Sequence, residues 1–297
     1  MSYSRYDVEA EKAIVDLLKQ TKVAFKSEIR YRLEKRFPYH TVTDYAVDRL
    51  AKGVSYTGLS IIRQGLPGRP KIRVPREAKA FFHLPGISYR EVLPLMRQKA
   101  LLSAFISSVA SHAGFWAQEL WKRAFESLGY NVVSDQDVRE FRGKTTSINN
   151  TIDFIVEKKG VLFGVEVKND LTHPTDLDKK FQVAVELDVI PVFVVRHVTP
   201  TAYKNIKRYG GLVKIYETSI FPTAYIETVD KCRRVLGYPI IALDEISEKT
   251  KLHLENKVMP DGFSDPDRLK GLNRQFLQEI KSYKQRLERL GRELTFR

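Results

Sequence analysis

The chain has 297 residues, 43% of them hydrophobic, and 50 Lys and Arg against 36 Asp and Glu give it a formal net charge of +14. That length exceeds what one core comfortably organises, so two or three domains are expected, and the excess charge, unless spread evenly, points to a polyanionic partner, either nucleic acid or an anionic membrane surface, with a basic soluble protein of no special purpose as the alternative. No run approaches the roughly 20 uninterrupted apolar residues of a membrane-spanning helix, residues 1–11 lack the pattern of a secretory signal, and the single cysteine, Cys232, excludes an intrachain disulfide framework or a cysteine-built zinc site. The expectation is a cytoplasmic protein without a membrane segment.

In chain order, Ile14, Leu17 and Leu18 form one apolar stripe, Phe25, Ile29, Leu33 and Phe37 a second ending before Pro38, and Val42, Ala46, Val47 and Leu50 a third. Thr41 or Thr43 is a candidate cap for the third helix, and Gly53 ends it. Residues 59–64 and 69–74 read as two strands around a turn at 65–68. Three helices and a hairpin in this order resemble a winged helix-turn-helix domain, here residues 1–85. The resemblance implies that the third helix enters the DNA major groove with its N-terminal residues, His40 and Thr43, foremost. The wing would bring Arg63, Arg69, Lys71 and Arg73 to the phosphate backbone or the minor groove. A winged helix devoted to protein contacts, with those cations on a solvated face, is the alternative.

Pro85 and Gly86 mark a hinge, and residues 89–111 read as an apolar connecting helix. A second helix, 115–128, ends at Gly129. A strand follows at 130–133, then a polar basic stretch, then strands at 151–156 and 162–168 joined by a turn at 157–160. A helix at about 175–187 precedes an apolar strand at 190–195. Residues 203–209 read as a basic helix and 212–216 as a further strand.

Asp153 on the second strand of this series, Glu166-Val167-Lys168 on the third, and Gly114 and Glu119 in the helix before them resemble the PD-(D/E)XK nuclease superfamily. Residues 86–235 would then form a restriction-endonuclease-like α/β domain, a mixed sheet flanked by helices, between the winged helix and a helical segment at 236–297. Ile152 stands where the motif's name has Pro, a position that varies widely in the superfamily.

Opposed residues on adjacent strands have Cβ atoms about 5 Å apart, so Asp153 and Glu166 would repel one another without a cation between them. Mg²⁺ or Mn²⁺, which prefers oxygen ligands and retains water, suits that place. Lys168, two residues from Glu166, faces the same side of the strand, about 6 to 7 Å along it. The resemblance implies that Lys168 positions or activates the attacking water and stabilises charge at phosphorus. It also offers the Val167 carbonyl as a metal ligand and Glu119 as a carboxylate completing the site. An ordinary solvated strand face is the competing reading, disfavoured by the apolar Phe163, Val165 and Val167 around these charges.

His112, Asn169, Asp170, His173 and Gln182 are weaker candidates. Arg139, Arg142 and Lys144, in the loop before Asp153, are either phosphate contacts or a free basic loop. Near the end, Leu269, Leu272, Phe276, Ile280, Tyr283, Leu287 and Leu290 recur at three- and four-residue steps. That stripe either docks on its own chain or forms a homodimer suited to cutting both DNA strands. The expected activity is Mg²⁺- or Mn²⁺-dependent hydrolysis of DNA phosphodiesters. A DNA-binding regulator on a non-catalytic nuclease fold and a nuclease for RNA or branched DNA are the alternatives.

Overall fold

The computed structural model describes residues 5–52, 60–63, 80–171 and 174–295. The chain opens with α1 (Arg5–Thr21), β1 (Val23–Phe25), α2 (Lys26–Leu33), α3 (His40–Ala51), β2 (Ser60–Arg63), β3 (Ala80–His83) and the long α4 (Tyr89–Ser127). The middle comprises β4 (Asn131–Val138), β5 (Glu140–Phe141), β6 (Lys144–Thr145), β7 (Ile152–Lys158), β8 (Val161–Leu171), α5 (Pro174–Glu186), β9 (Ile190–His197), α6 (Pro200–Arg208) and β10 (Leu212–Ile215). The chain continues through β11 (Ser219–Phe221), α7 (Ile226–Leu236), β12 (Ile240–Ala242), α8 (Glu248–His253), α9 (Pro260–Ser264) and α10 (Pro266–Thr295). These elements form two compact units, each discontinuous in sequence where three consecutive segments were expected: residues 1–113 with 220–242, and residues 114–219 with 243–297.

In the first unit β3 lies between β1 and β2 and is antiparallel to both. Side chains alternate across a strand. Ala24 and Phe82 join a core with Ile14, Leu18, Ile29, Phe37 and Val47 of the N-terminal helices. Val23, Phe25 and Phe81 join another with Met96 of α4 and Val229, Cys232 and Leu236 of α7. Covering both faces explains why β1 carries no polar residue. Phe25, expected on the second helix, instead ends β1 with an extended backbone (φ −106°, ψ 166°), because pairing with Phe81 buries it more fully than a helical stripe would. The expected strand at 69–74 lies outside the described residues. The partner of β2 is β3, which the sequence reading did not foresee.

The helices expected at 89–111 and 115–128 are one continuous helix, α4. Gly114 weakens a helix interior by roughly 1 kcal/mol relative to Ala but does not end it. By length and composition alone α4 could cross a bilayer, and 28% of its most apolar stretch is buried; Val92, Met96, Trp121 and Phe125 are buried, whereas Leu101 and Phe115 are exposed.

In the second unit a five-stranded mixed sheet has the order β10-β9-β8-β7-β4. β4, β7 and β8 are antiparallel neighbours, whereas β8, β9 and β10 run parallel through the crossover helices α5 and α6. Lys159 and Gly160, both at positive φ (54° and 77°), close the β7–β8 hairpin in the tight turn expected there. On one sheet face Phe154 and Phe163 meet Phe125 of α4, Tyr130 and Phe263. On the other, Ile152 and Ile155 pack against Val183 and Ala184 of α5. Gly164 lets α5 approach: a Cβ there would stand 2.6 Å from Val189 Cγ2, 2.7 Å from Ile152 Cδ1 and 3.3 Å from Ala184 Cβ. The C-terminal stripe docks on its own unit as far as Ile280, with Phe276 against Phe181 of α5 (ring centroids 4.5 Å). Residues 281–286 are exposed.

The first unit also encloses an ion pair. Lys99 of α4 donates to both Glu28 carboxylate oxygens at 2.7 and 2.9 Å and to the Val23 carbonyl at 2.5 Å. Arg32 adds a bond to Glu28 at 3.1 Å while its other arm reaches the Val235 carbonyl at 2.7 Å. Burial pushes the Glu28 carboxyl up and the Lys99 ammonium down, each opposed by the other's charge. Removing one partner strands the other. Lys99→Met should therefore lower the stability of this unit by about 3–5 kcal/mol, whereas adding Glu28→Leu should recover most of the loss in urea unfolding. An undiminished loss in the double variant would show that the pair's charges do not govern this site.

Candidate active site

The register Phe154↔Val165 and Ile155↔Gly164, continued by one residue, sets Asp153 opposite Glu166. With a side-chain period of two, Asp153, Ile155, Gly164, Glu166 and Lys168 point toward α5, and Phe154, Val165 and Val167 point away. The structure thus brings Asp153, Glu166 and Lys168 together. Asp153 is 6% exposed and Glu166 1%. Asp153 Oδ2 accepts the Val167 N–H at 2.6 Å, so the backbone of β8 fixes the carboxylate of β7. The Val167 carbonyl, suggested as a ligand, belongs to the same peptide segment.

Glu166 Oε1 is approached by two ammonium groups, Lys168 Nζ at 2.6 Å and Lys180 Nζ at 3.0 Å. These are ion pairs without hydrogen-bond alignment: neither Glu166 oxygen accepts an aligned hydrogen bond, and both are shielded from solvent. Burial, reinforced by the Glu166 charge, pushes the Asp153 carboxyl up to about 7. Burial works against the Lys168 ammonium, but the charges of Glu166, Asp153 and Asp176 outweigh it and hold Lys168 above its ordinary range. Two buried carboxylates on adjacent strands, both shielded from solvent, fit a hard divalent cation that fills its remaining coordination with water. Among the described residues no third acidic, histidine or cysteine side chain completes a three-ligand cluster.

Glu119 does not join this pair. It sits on α4, whose Phe125 packs on Phe154 and hence on the opposite sheet face, and it is held by Lys122 at 2.8 Å and Arg123 at 3.0 Å. Lys122 also bridges to Asp135 of β4 at 2.9 Å.

Lys180 was missed by the sequence reading, although a signal exists. It lies three residues after Leu177 and four before Ala184, both buried at 1% exposure, so helical spacing sets a cation on the apolar face of α5. Behind the site, the Tyr216 hydroxyl donates to the Lys168 carbonyl at 3.0 Å and to Asn169 Oδ1 at 3.1 Å, bracing the end of β8. Asp170 lies 3.8 Å from buried Arg196. Gln182 donates to Glu186 at 2.8 Å, His112 meets the Tyr225 hydroxyl at 3.1 Å, and His173 lies outside the described residues.

The candidate DNA contacts divide similarly. Thr43 is fully buried and its hydroxyl donates to the His40 carbonyl at 2.9 Å, so it faces the core and is withdrawn as a contact. His40 opens α3 and pairs with Glu34 at 3.0 Å. Asp44 and Asp48 on α3 are matched by Arg30 at 2.6 Å and Lys26 at 2.9 Å. Arg63 lies on β2 with its side chain outside the described part, and Arg69, Lys71 and Arg73 lie outside the described residues. Arg142 and Lys144 occupy the β5–β6 hairpin on either side of Gly143, paired at the surface with Glu157 at 3.2 Å and Asp188 at 2.7 Å. Arg139 donates to Asn149 at 3.0 Å.

Neither the family models nor the curated proteins searched match this chain.

Because the Asp153 carboxyl binds its proton more firmly folded than unfolded, it contributes stability below its ordinary pKa of 3.8 that is lost as pH rises to about 7. In EDTA, the wild type should lose up to about 4 kcal/mol from this group across that window, at 1.36 kcal/mol per pKa unit, and Asp153→Asn should not. Thermal melts of both proteins between pH 4 and 7 measure the difference. Parallel curves would remove Asp153 as the source.

Proposed function

We propose that the second unit is a metal-dependent nuclease core of the PD-(D/E)XK type, hydrolysing DNA phosphodiesters, and that the first unit contributes a winged-helix DNA-binding domain. The observation that carries this reading is the buried Asp153–Glu166 pair on adjacent strands, with Lys168 two residues on and facing the same side. The element order supports it: helix, three antiparallel strands, helix, then a parallel strand, in a mixed sheet. In the first unit the order α1-β1-α2-α3-β2-β3, with β3 paired to both other strands, supports the winged-helix reading.

Asp153 and Glu166 would hold Mg²⁺ or Mn²⁺, with water filling the open positions. When bound, the cation supplies Lewis acidity to the scissile phosphate and acidifies a coordinated water. The Val167 N–H keeps Asp153 oriented toward Glu166. Lys168, whose side chain is 33% exposed, is placed to orient the attacking water and to offset charge as its oxygen bonds to phosphorus and a bridging P–O bond breaks. The departing oxygen takes up a proton. The low exposure of both carboxylates strengthens these interactions relative to water.

Affinity for DNA rests on the net charge of +14 and on cations such as Arg142 and Lys144, whose surface ion pairs are weak enough to be exchanged for phosphate. A homodimer, each copy addressing one strand, belongs to the same proposal.

The test is a panel of labelled linear, single-stranded and branched DNAs and an RNA, with Mg²⁺, Mn²⁺ or EDTA. Asp153→Ala and Glu166→Ala should lose both cation binding and cleavage. Lys168→Ala should retain cation binding and lose cleavage by at least about a hundredfold, and all three should still bind DNA with a steep salt dependence. Cleavage that persists in EDTA or in Glu166→Ala would overturn the site. DNA binding without cleavage of any substrate would favour a regulator on a non-catalytic fold.

A further inference from the structure

Lys180 adds a second ammonium to a pocket that Lys168 already serves. Both approach the same oxygen of Glu166, at 3.0 and 2.6 Å, so the two buried carboxylates face as many lysines before any metal arrives. The two differ in setting. Lys168 projects from the strand that carries Glu166 and its side chain is 33% exposed, whereas that of Lys180 is 12% exposed and comes from α5. Leu177 and Ala184 bury the same face of α5, so the helix delivers this ammonium to the carboxylates. A cation entering between Asp153 and Glu166 therefore meets a positive charge that the helix packing holds in place.

We infer that Lys180 is a positioning residue that serves as an internal counter-cation for Glu166 and competes with the divalent cation for that carboxylate, setting the free cation concentration at which the site fills. The inference rests on the metal reading proposed above. It explains how a carboxylate with 1% exposure stays compatible with the fold while no metal is bound: the charge is matched internally, and a cation must exchange for that match.

Mn²⁺ alone, titrated by calorimetry into full-length wild type, Lys180→Met, Lys180→Gln, Lys180→Arg and Glu166→Ala, separates the possibilities without any cleavage assay. Lys180→Met and Lys180→Gln should bind Mn²⁺ roughly tenfold more tightly than wild type, because a nearby positive charge has gone. Lys180→Arg, which keeps the charge, should stay close to wild type. Binding equal to or weaker than wild type in the neutral variants that fold, judged by thermal melting, overturns the inference and leaves Lys180 as a helix-to-sheet tie. Failure of both neutral variants to fold overturns it as well, since the ammonium would then be indispensable structure. The metal reading itself fails separately, if wild type takes up no Mn²⁺ or Glu166→Ala takes it up equally well.

Discussion

The second unit depends on one electrostatic constraint: two carboxylates, Asp153 and Glu166, stand opposite each other on adjacent strands with almost no access to solvent. Such a pair is unfavourable by burial and by mutual repulsion. The structure answers with a backbone N–H on Asp153 and two ammonium groups on Glu166, and still leaves the Glu166 oxygens without aligned donors.

Packing then decides where the answering charges come from. Leu177 and Ala184 seat one face of α5 in the core, and Lys180, on that same face, points inward with them. The β7–β8 turn, the parallel crossover through α5 and the brace from Tyr216 to the end of β8 all hold the same few atoms in register. The opposite face of the sheet, occupied by aromatic contacts with α4, takes no part in the charges, which is why Glu119 stands apart from them.

The first unit repeats the pattern of charge enclosed by packing. Its strands β1 and β3 are covered on both faces, and Glu28 and Lys99 meet where α2 and α4 close over β1. No candidate site residue lies there. A buried ion pair of this kind contributes little net stability when intact and much instability when halved, so it acts chiefly to define how α2 and α4 pack.

Local pattern alone determined the hairpin of β7 and β8, the alternation that puts Asp153, Glu166 and Lys168 on one side, and the helical spacing of α5 and α10, because periodicity and turn chemistry act over a few residues. It also suggested Phe25 as helical and a break between two helices at residues 112–114, whereas Glu119 as a ligand came from the family resemblance. Tertiary structure decided otherwise: Phe25 pairs with Phe81 in the sheet, α4 runs unbroken through Gly114, and the sheet face chosen by Phe125 and Phe154 turned Glu119 away. Lys180 shows the division most clearly. Its place on an apolar helix face is legible in the spacing of Leu177 and Ala184, but its partner is Glu166, fourteen residues earlier and on another element, and only the docking of α5 on the sheet brings the two charges together.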